Sequence, residues 1–519
     1  MTGVGRLAGR EEDAPSSGIT RGRFLAAVAL VGVAGGVSLG CDPLGRVRPL
    51  LPLKPNGGAW AFRSRPDLSP PAVSVARRSE RTAPGYVFVA PKNGPGETGP
   101  GQRGPMIVDD EGRPVWFRPL RDEGVDAMDF KVQRYRGRSV LTWWQGRHSA
   151  FGLGEYALLD GSYREVTRVR AGGGYEADLH ELLITPGDTA LMTIYGLTSR
   201  DLTSVGGSGD GAVAEGVVQE VDIETGEVLF EWHSLEHVGI EESYFPPPES
   251  PAEPFDYFHI NSIDVDTDGN LLVSARKTSA AYKIDRRSGG VLWRLDGKRS
   301  DFQMDSGART RYQHDARRRP DGTLTIFDNG EEGENTLSRA IVVRLDEAAM
   351  RVGLVREYVH AGRPLCVTQG NAQTLPNGNA FVGWGSEPGF SEFHADGELL
   401  FDANFPPGVE SYRAFRFPWV GMPAEEPAVA AEPGPSPGEV SVHASWNGAT
   451  EVASWGVLAG PTPDRMRTLG LAPRSGFETS VAARTDEPYV GVEALDRRGR
   501  TLGRSAAIRP GERAFTSSS

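Results

Sequence analysis

Hydrophobic and polar positions alternate in two recurring patterns between residue 83 and about residue 420. In the first pattern, a polar turn that contains glycine leads into a strand that often ends in an aromatic residue. Its fullest copy is DRRSGGVLW at 285–293, and further copies lie at 110–117, 224–232 and 392–401. Short alternating runs bounded by such turns are typical of antiparallel β-strands joined by hairpins.

The second pattern is a tight turn followed by an alternating strand, and it sets a spacing. Its turns are centred at Gly269, Gly322 and Gly378, about 55 residues apart. That period suits a four-stranded propeller blade, and the region is long enough for about six blades. An array of β-sandwiches would also explain the strands, but it would not explain two turn types alternating within one period. We therefore predict a six-bladed β-propeller over 83–420.

The C-terminal part of the chain has a different pattern. Residues 421–438 are rich in Pro, Ala and Glu and are predicted to be a linker. Closely spaced alternating runs follow at 440–446, 452–458, 477–481 and 489–495. They predict a small β-sandwich of the fibronectin-III or immunoglobulin type over 439–510, with a structural or adhesive role. The predicted fold class is therefore all-β throughout.

The N-terminal part resembles an export signal. Arg21 and Arg23 precede the uncharged run Phe24–Leu39, whose 16 residues are short for a membrane span and suit a signal-peptide core. Residues 37–41 (VSLGC) resemble a bacterial lipobox. We predict a signal over 1–41 with lipidation at Cys41, and an uncleaved membrane anchor is the alternative. Both predict an exported, membrane-tethered protein, with a disordered Pro- and Arg-rich tether over 42–82.

Composition narrows the classes of function. The chain has 519 residues with a formal net charge of -13, which argues against nonspecific nucleic-acid binding. Its two cysteines, Cys41 and Cys366, exclude a disulfide framework or a cysteine-based zinc site. We expect no cofactor and no metal.

Three histidines stand at the heads of strands within the repeats: His180, His259 and His314. Gly269 and Gly322 follow the last two by 10 and 8 residues, so these histidines occupy nearly the same place in consecutive blades. Loops of a propeller converge on one channel, where the three imidazoles would meet. Structural histidines or a three-histidine metal site are the alternatives.

Arginine and amide side chains favour an anionic ligand over a metal ion. Arg276 ends a strand, and its planar guanidinium can pair with two oxygens of a tetrahedral anion. Asn371 and Gln373 occupy the place in the next repeat that corresponds to the histidines, and we expect them to bind substrate. Histidine, arginine and asparagine together suit the transfer of a sulfuryl or phosphoryl group.

These motifs resemble one known family. HINSI at 259–263, QHDAR at 313–317 and GNAQTLPNGN at 370–379 are similar to signatures of the arylsulfotransferases, in the branch found in actinobacteria and fungi. The resemblance implies a six-bladed propeller that moves sulfate from a phenol ester to another phenol, without 3′-phosphoadenylyl sulfate. It also implies a transient sulfohistidine.

The resemblance assigns roles by position. His314 would be the nucleophile, His259 and Asn261 would hold the sulfuryl oxygens, Arg276 would clamp them, and His180 would shuttle the proton. The implied partners are a phenolic sulfate donor, a phenol acceptor and the membrane, while a homodimer stays open. Two rivals remain: a non-catalytic cell-surface propeller that binds an anion, and a quinoprotein-like dehydrogenase, which the missing calcium and quinone motifs disfavour.

Overall fold

Strands make up almost all of the regular structure. The computed structural model describes residues 46–148, 151–250, 253–331, 337–363 and 365–516. The helical segments in these ranges are single 3₁₀ turns at Thr203–Val205, Ser234–Glu236, Ile240–Glu242 and Ser306–Ala308. The prediction of an all-β protein is confirmed.

The predicted signal and Cys41 lie outside the described residues. Within the described ranges, no helix has the length and apolar character needed to cross a bilayer.

Six antiparallel sheets follow one another along the chain, and we number them 1 to 6. The strands of each sheet are given from its inner edge outwards. Sheet 1 contains Ala414–Phe417, Tyr86–Val89, Met106–Val108 and Pro114–Phe117. Sheet 2 contains Asp126–Tyr135, Arg138–His148, Gly152–Leu159 and Glu165–Val169. Sheet 3 contains Leu182–Ile184, Thr189–Arg200, Gly211–Asp222 and Val228–His233, and Phe255–Asp256 joins it in parallel.

The remaining three sheets have the same organisation. Sheet 4 contains Ile260–Val265, Leu271–Ala275, Ala280–Ile284 and Val291–Asp296. Sheet 5 contains His314–Arg318, Leu324–Asp328, Arg339–Asp346 and Arg351–Val359, and Gln303–Met304 joins it in parallel. Sheet 6 contains Asn371–Thr374, Ala380–Gly383, Gly389–Phe393 and Leu399–Asn404, with Ser74–Arg77 at its outer edge. A short two-stranded ladder pairs Lys92–Asn93 with Val409–Glu410.

Each sheet is buried on both faces because it packs between two neighbours. Within Leu271–Ala275, Leu271 and Val273 join an apolar cluster shared with sheet 3, whereas Leu272 joins one shared with sheet 5. Six such clusters fill the interfaces between consecutive sheets, including the interface between sheets 6 and 1. Successive side chains of a strand point to opposite faces, so consecutive apolar residues such as Leu271, Leu272 and Val273 are all buried.

The inner edge strands bring distant parts of the chain together. The inner strand of each sheet contacts that of the next, and the inner strand of sheet 6 contacts that of sheet 1. Sheet 1 joins the two ends of this region, because Tyr86–Val89 pairs with Ala414–Phe417. Residues at the heads of the six inner strands therefore surround a common centre.

Two further sheets form the C-terminal part. One contains Val47–Pro49, Glu478–Arg484, Glu439–Ser445, Ala428–Pro433 and Arg513–Ala514, and the other contains Arg467–Pro473, Ser454–Gly460, Tyr489–Leu495 and Thr501–Arg504. One apolar cluster is shared between them. The predicted linker over 421–438 needs correction, because Ala428–Pro433 is a strand whose alanines and Val429 are buried in the first of these sheets.

The N-terminal segment is also ordered where the structure describes it. Val47–Pro49 pairs with Val481–Ala483, and Ser74–Arg77 pairs with sheet 6. Between them, the Phe62 ring lies 4.3 Å from that of Phe477. The prediction of a disordered tether is therefore wrong for residues 46–82. The Pro-rich composition concealed a few apolar side chains that pack onto surfaces formed by distant parts of the chain.

We predict that Phe62→Ala lowers the free energy of unfolding by about 3–5 kcal/mol, because it empties a buried aromatic site. Leu51→Ala is the matched control in the same segment. The Leu51 side chain is 89% exposed, so its loss should change stability by less than about 0.5 kcal/mol. Urea denaturation measures both values, and equal effects of the two substitutions would show that the segment is not docked.

Candidate functional site

Three imidazoles meet at the centre of the ring of inner strands. The His180 and His259 ring centroids are 5.1 Å apart at an interplanar angle of 84°. Each Nδ1 atom has a partner: Asp178 for His180, Asp256 at 2.5 Å for His259, and Asn329 at 2.7 Å for His314. No described residue hydrogen-bonds the Nε2 atom of any of the three. All three histidines therefore keep Nε2 available for a ligand.

The amide of Asn329 determines the tautomer of His314. Its Nδ2 atom donates to the backbone carbonyls of Cys366, at 2.8 Å, and Gln369, at 2.9 Å, so Oδ1 must face the imidazole. An amide oxygen only accepts hydrogen bonds, so His314 Nδ1 carries the proton. The Nε2 atom then holds a free lone pair, which is the form that a nucleophile requires.

The surroundings of His314 also keep it neutral. The residue is 1% exposed. Burial, and next the positive charge of Arg276, hold the pKa of His314 well below its ordinary value. At neutral pH the imidazole is therefore uncharged and its lone pair is not lost to a proton.

Carboxylates hold the other two imidazoles. Burial by itself would raise the Asp256 pKa, but His259 and Lys277 lower it to about 2. The Asp178 pKa is likewise below its ordinary value, because His180 and several hydrogen bonds outweigh the effect of burial. Both carboxylates stay ionised at neutral pH and orient the rings. Burial outweighs the effect of Asp256 and holds the pKa of His259 below its ordinary value.

Irregular backbone aims these side chains at the centre. His259 has a φ of 56° and Asp315 a φ of 57°, in the left-handed region that side chains other than glycine rarely adopt. The pairing register shifts beside both residues, between Ile260 and Ser262 and between His314 and Arg317. Such β-bulges redirect a side chain next to a functional site.

Arg276 is held between two aromatic rings. Its guanidinium carbon lies 5.7 Å from the Phe245 ring centroid and 5.4 Å from that of Tyr312, and one Nη donates to the Val367 carbonyl at 3.0 Å. The Nε atom is buried and has no partner among the described residues. Arg276 therefore presents an unused donor and a positive charge close enough to His314 to lower its pKa.

A buried ion-pair network lies among the inner strands. Arg413 donates to Asp129 at 2.9 Å, to Glu181 at 3.0 Å and to the Asn261 carbonyl at 2.8 Å. Arg317 bonds to Glu181 and, at 2.8 Å, to Asp315, whose second oxygen accepts from the Ala372 amide. The members come from all six sheets or from the residues next to their inner strands. Sequence reasoning missed this network because its members are far apart in the chain.

Three amides predicted to bind substrate have other partners. Asn261 Nδ2 donates to the Gln313 carbonyl at 2.8 Å, which fixes the backbone just before His314. Asn371 exchanges both amide bonds with the Ala414 backbone, and Gln373 does the same with Arg416. The prediction that Asn371 and Gln373 bind substrate is therefore corrected. Their side-chain amides join sheet 6 to sheet 1 instead. For Asn261, the structure favours a positioning role.

The aspartates and Asn329 left weak signals in the sequence. Asp178 and Asp256 precede His180 and His259 by two and three residues, a spacing that can bring a carboxylate to Nδ1. Asn329 lies 15 residues after His314, across a hairpin.

Cys366, whose backbone carbonyl accepts from Asn329, is buried, and burial raises the pKa of the Cys366 thiol to about 12. In the described part of the chain, no cluster of three or more His, Cys, Asp or Glu could hold a metal ion.

A family model described as arylsulfotransferase (ASST) matches residues 131–406. The chain belongs to the arylsulfotransferase family. The match extends from sheet 2 to sheet 6 and includes His180, His259, Arg276 and His314. The family predicted from the sequence motifs is thus confirmed. No curated protein matches this arylsulfotransferase-family chain.

Solved structures show more distant similarity. A protein of unknown function from Bacteroides caccae is 15% identical with a TM-score of 0.39, and the match covers 64% of this chain and 98% of that one. A catalytically inactive virginiamycin B lyase from Staphylococcus aureus, solved with quinupristin, is 8% identical with a TM-score of 0.33, over 79% of this chain and 98% of the lyase. At these TM-scores, neither similarity supports a conclusion about function.

The lowered pKa of His314 predicts how stability depends on pH. The unfolded imidazole titrates near 6.5 and the folded one well below it, so the native state binds fewer protons and loses stability as pH falls through this range. The stability advantage of wild type over a variant without this imidazole should therefore shrink as the pH is lowered from 7 to 5. It is measured as the difference between wild type and His314→Gln in urea denaturation.

Phe62→Ala is the control, because it destabilises the protein without removing a titratable group. Its loss of unfolding free energy relative to wild type should be the same at pH 7 and at pH 5. A His314→Gln difference that is constant between pH 7 and pH 5 would contradict a buried neutral imidazole.

Proposed function

We propose that this arylsulfotransferase-family protein moves a sulfuryl group from a phenolic sulfate ester to a phenol through a sulfohistidine at His314, without 3′-phosphoadenylyl sulfate. One observation carries the proposal: Asn329 Oδ1 accepts the hydrogen bond of His314 Nδ1–H, which leaves a lone pair on Nε2 of a neutral, buried imidazole. The imidazole is thereby prepared for attack before any substrate binds.

In the first step, His314 Nε2 attacks the sulfur of the donor. The N–S bond forms, the S–O bond to the aryl group breaks, and the phenolate leaves with the bonding electrons. The imidazole becomes positively charged and keeps its Nδ1 proton, which remains bonded to the Asn329 oxygen. Arg276, with its unused Nε donor, faces the sulfuryl oxygens.

In the second step, the acceptor phenol attacks sulfur and the N–S bond breaks, which returns neutral His314. His180 moves the proton between the two phenols. Its Nδ1 is paired with Asp178, and its Nε2 takes the proton of the acceptor phenol, which then passes to the phenolate released in the first step. His259, paired with Asp256, presents a second Nε2 to the same space.

The charge of the site favours a sulfate ester over a phosphate ester. Lys277 is paired with Asp256, and Arg317 and Arg413 are paired with carboxylates of the buried network. Arg276 forms no ion pair with any residue in the described ranges. One uncompensated cation matches a sulfate monoester, which carries one negative charge, better than a phosphate monoester, which carries nearly two at pH 7.

The same proposal includes the architecture and location of the protein. Sheets 1 to 6 would be the blades of a six-bladed β-propeller, supported by their six apolar interfaces and the contacts among inner strands. The two C-terminal sheets would be a fibronectin-III-like sandwich. Export and tethering at Cys41 follow from the signal-like N-terminus, and the partners would be a phenolic sulfate and a phenol.

We predict that incubation with an aryl sulfate alone adds one sulfuryl group to a peptide that contains His314, detected by intact-mass and peptide mass spectrometry. His314→Ala should abolish the label and reduce transfer to a phenol by about 10³-fold or more. His443→Ala is the control, because His443 is also buried but lies in a C-terminal sheet. Undiminished transfer by His314→Ala, or a label on another residue, would contradict the proposal.

We predict that Asn329→Ala slows the sulfation of His314 about tenfold, because one hydrogen bond that orients Nδ1 is lost. Single-turnover labelling per folded molecule measures this effect. Asn379→Ala is the matched control, since Asn379 is a buried asparagine beside sheet 6 that donates to the Arg81 carbonyl and to Glu392, away from the histidines. Equal rates in the two variants would show that Asn329 does not prepare the nucleophile.

A further inference from the structure

A second cleft lies away from the three histidines, between sheet 1 and the C-terminal sheets. Its volume is about 600 Å³, which is within the range of small-molecule sites. Tyr86, Asp109 and Arg113 line one wall, and Glu451, Arg474 and Arg497 line the other. Clefts between packed units are frequent ligand sites because both units contribute polar groups.

The cleft contains guanidinium groups without a carboxylate partner. Arg113 is paired with Asp109 at 2.8 Å and with Glu111 at 2.7 Å. Arg474 and Arg497 form no ion pair with any residue that the structure describes. The residues that line the cleft include three arginines and two carboxylates, Asp109 and Glu451. The lining therefore carries one excess positive charge, although the chain has a net charge of -13. This charge favours a monoanionic ligand.

Arg474 is fixed in place before a ligand arrives. It donates to the carbonyls of Gly476, at 3.0 Å, and Ala449, at 2.8 Å. Both bonds hold the guanidinium on the backbone and leave its remaining donors for the cleft. A preorganised guanidinium loses little side-chain entropy on binding an oxyanion.

Tyr86 adds an aromatic surface at the centre of these charges. Its ring is half-buried and no described residue hydrogen-bonds its hydroxyl. Burial raises the pKa of Tyr86, and Arg474, Asp109, Glu451 and Arg497 all lie close enough to affect it. A ring, two guanidiniums and a carboxylate thus converge. They offer a stacking face, donors for an oxyanion and an acceptor for hydroxyl groups.

We propose that this cleft binds a saccharide unit that carries a carboxylate or a sulfate. The oxyanion lies between Arg474 and Arg497, the sugar face packs on Tyr86, and Glu451 accepts from a sugar hydroxyl. The ligand would be recognised by both parts of the protein, which gives the C-terminal sheets a role in binding rather than in sulfate transfer.

Isothermal titration of the full chain tests the proposal with four probes: digalacturonate, galactose 6-sulfate, the neutral galactose disaccharide and inorganic sulfate. At least one charged sugar should bind, the neutral sugar should not, and inorganic sulfate should bind more weakly. Which charged sugar binds distinguishes a carboxylate from a sulfate ligand. Arg497→Met should weaken binding about tenfold or more, because a charge-assisted bond is lost at an exposed position that folding does not need.

Arg500→Met is the matched control, since Arg500 lies in the same turn but is paired with Asp496 at 2.7 Å. It should bind as wild type does, and both variants should keep sulfate transfer unchanged. The proposal is overturned if neither charged sugar binds, if Arg497→Met binds as tightly as wild type, or if inorganic sulfate binds as tightly as the sugars. A negative result in this titration would not count against the chemistry proposed at His314, because the two sites share no residue.

Discussion

The buried ion pairs of Arg413 hold the centre of this protein together. Arg413 is 1% exposed, and it bonds carboxylates or carbonyls supplied by sheets 2, 3 and 4, while Arg317 and Asp315 extend the network to sheets 5 and 6. Charges removed from water are costly unless every one is paired, and removing one partner from such a network typically costs about 3–5 kcal/mol. The network therefore ties together residues at the heads of the inner strands, and losing one of its members would leave buried charge unpaired.

The histidines depend on that arrangement because they precede or begin the same strands. Their partners differ in a chemically meaningful way. His180 and His259 face carboxylates, whereas His314 faces an amide, and burial holds the pKa of both His259 and His314 below its ordinary value. Two of the three imidazoles are thus paired with a negative charge and the third with a neutral acceptor. The charge of Arg276 disfavours protonation of both His314 and His259.

Much of the fold was predictable because local patterns determine it. Turns such as those at Gly269 and Gly322 adopt left-handed backbone that favours glycine, and they mark the ends of adjacent strands wherever they occur. The segments at 46–82 and 421–438 were predicted wrongly for the opposite reason. Their Pro-rich composition suggests an open chain, and Phe62 and Val429 become core residues only because Phe477 and the C-terminal strands cover them.

The amino-acid sequence determined the all-β class and the family, because these depend on residue type and on spacing along the chain. It placed His259 and His314 only approximately, because the strand pairing of sheets 4 and 5 makes Asn261, two residues after His259, the counterpart of His314. It could not determine the partner of each polar group. Asn371 and Asn329 are the same residue type, yet one joins two strands through backbone bonds and the other prepares an imidazole. A hydrogen bond requires two atoms within about 3 Å. For residues tens or hundreds of positions apart, that proximity exists only after the sheets have packed around the centre.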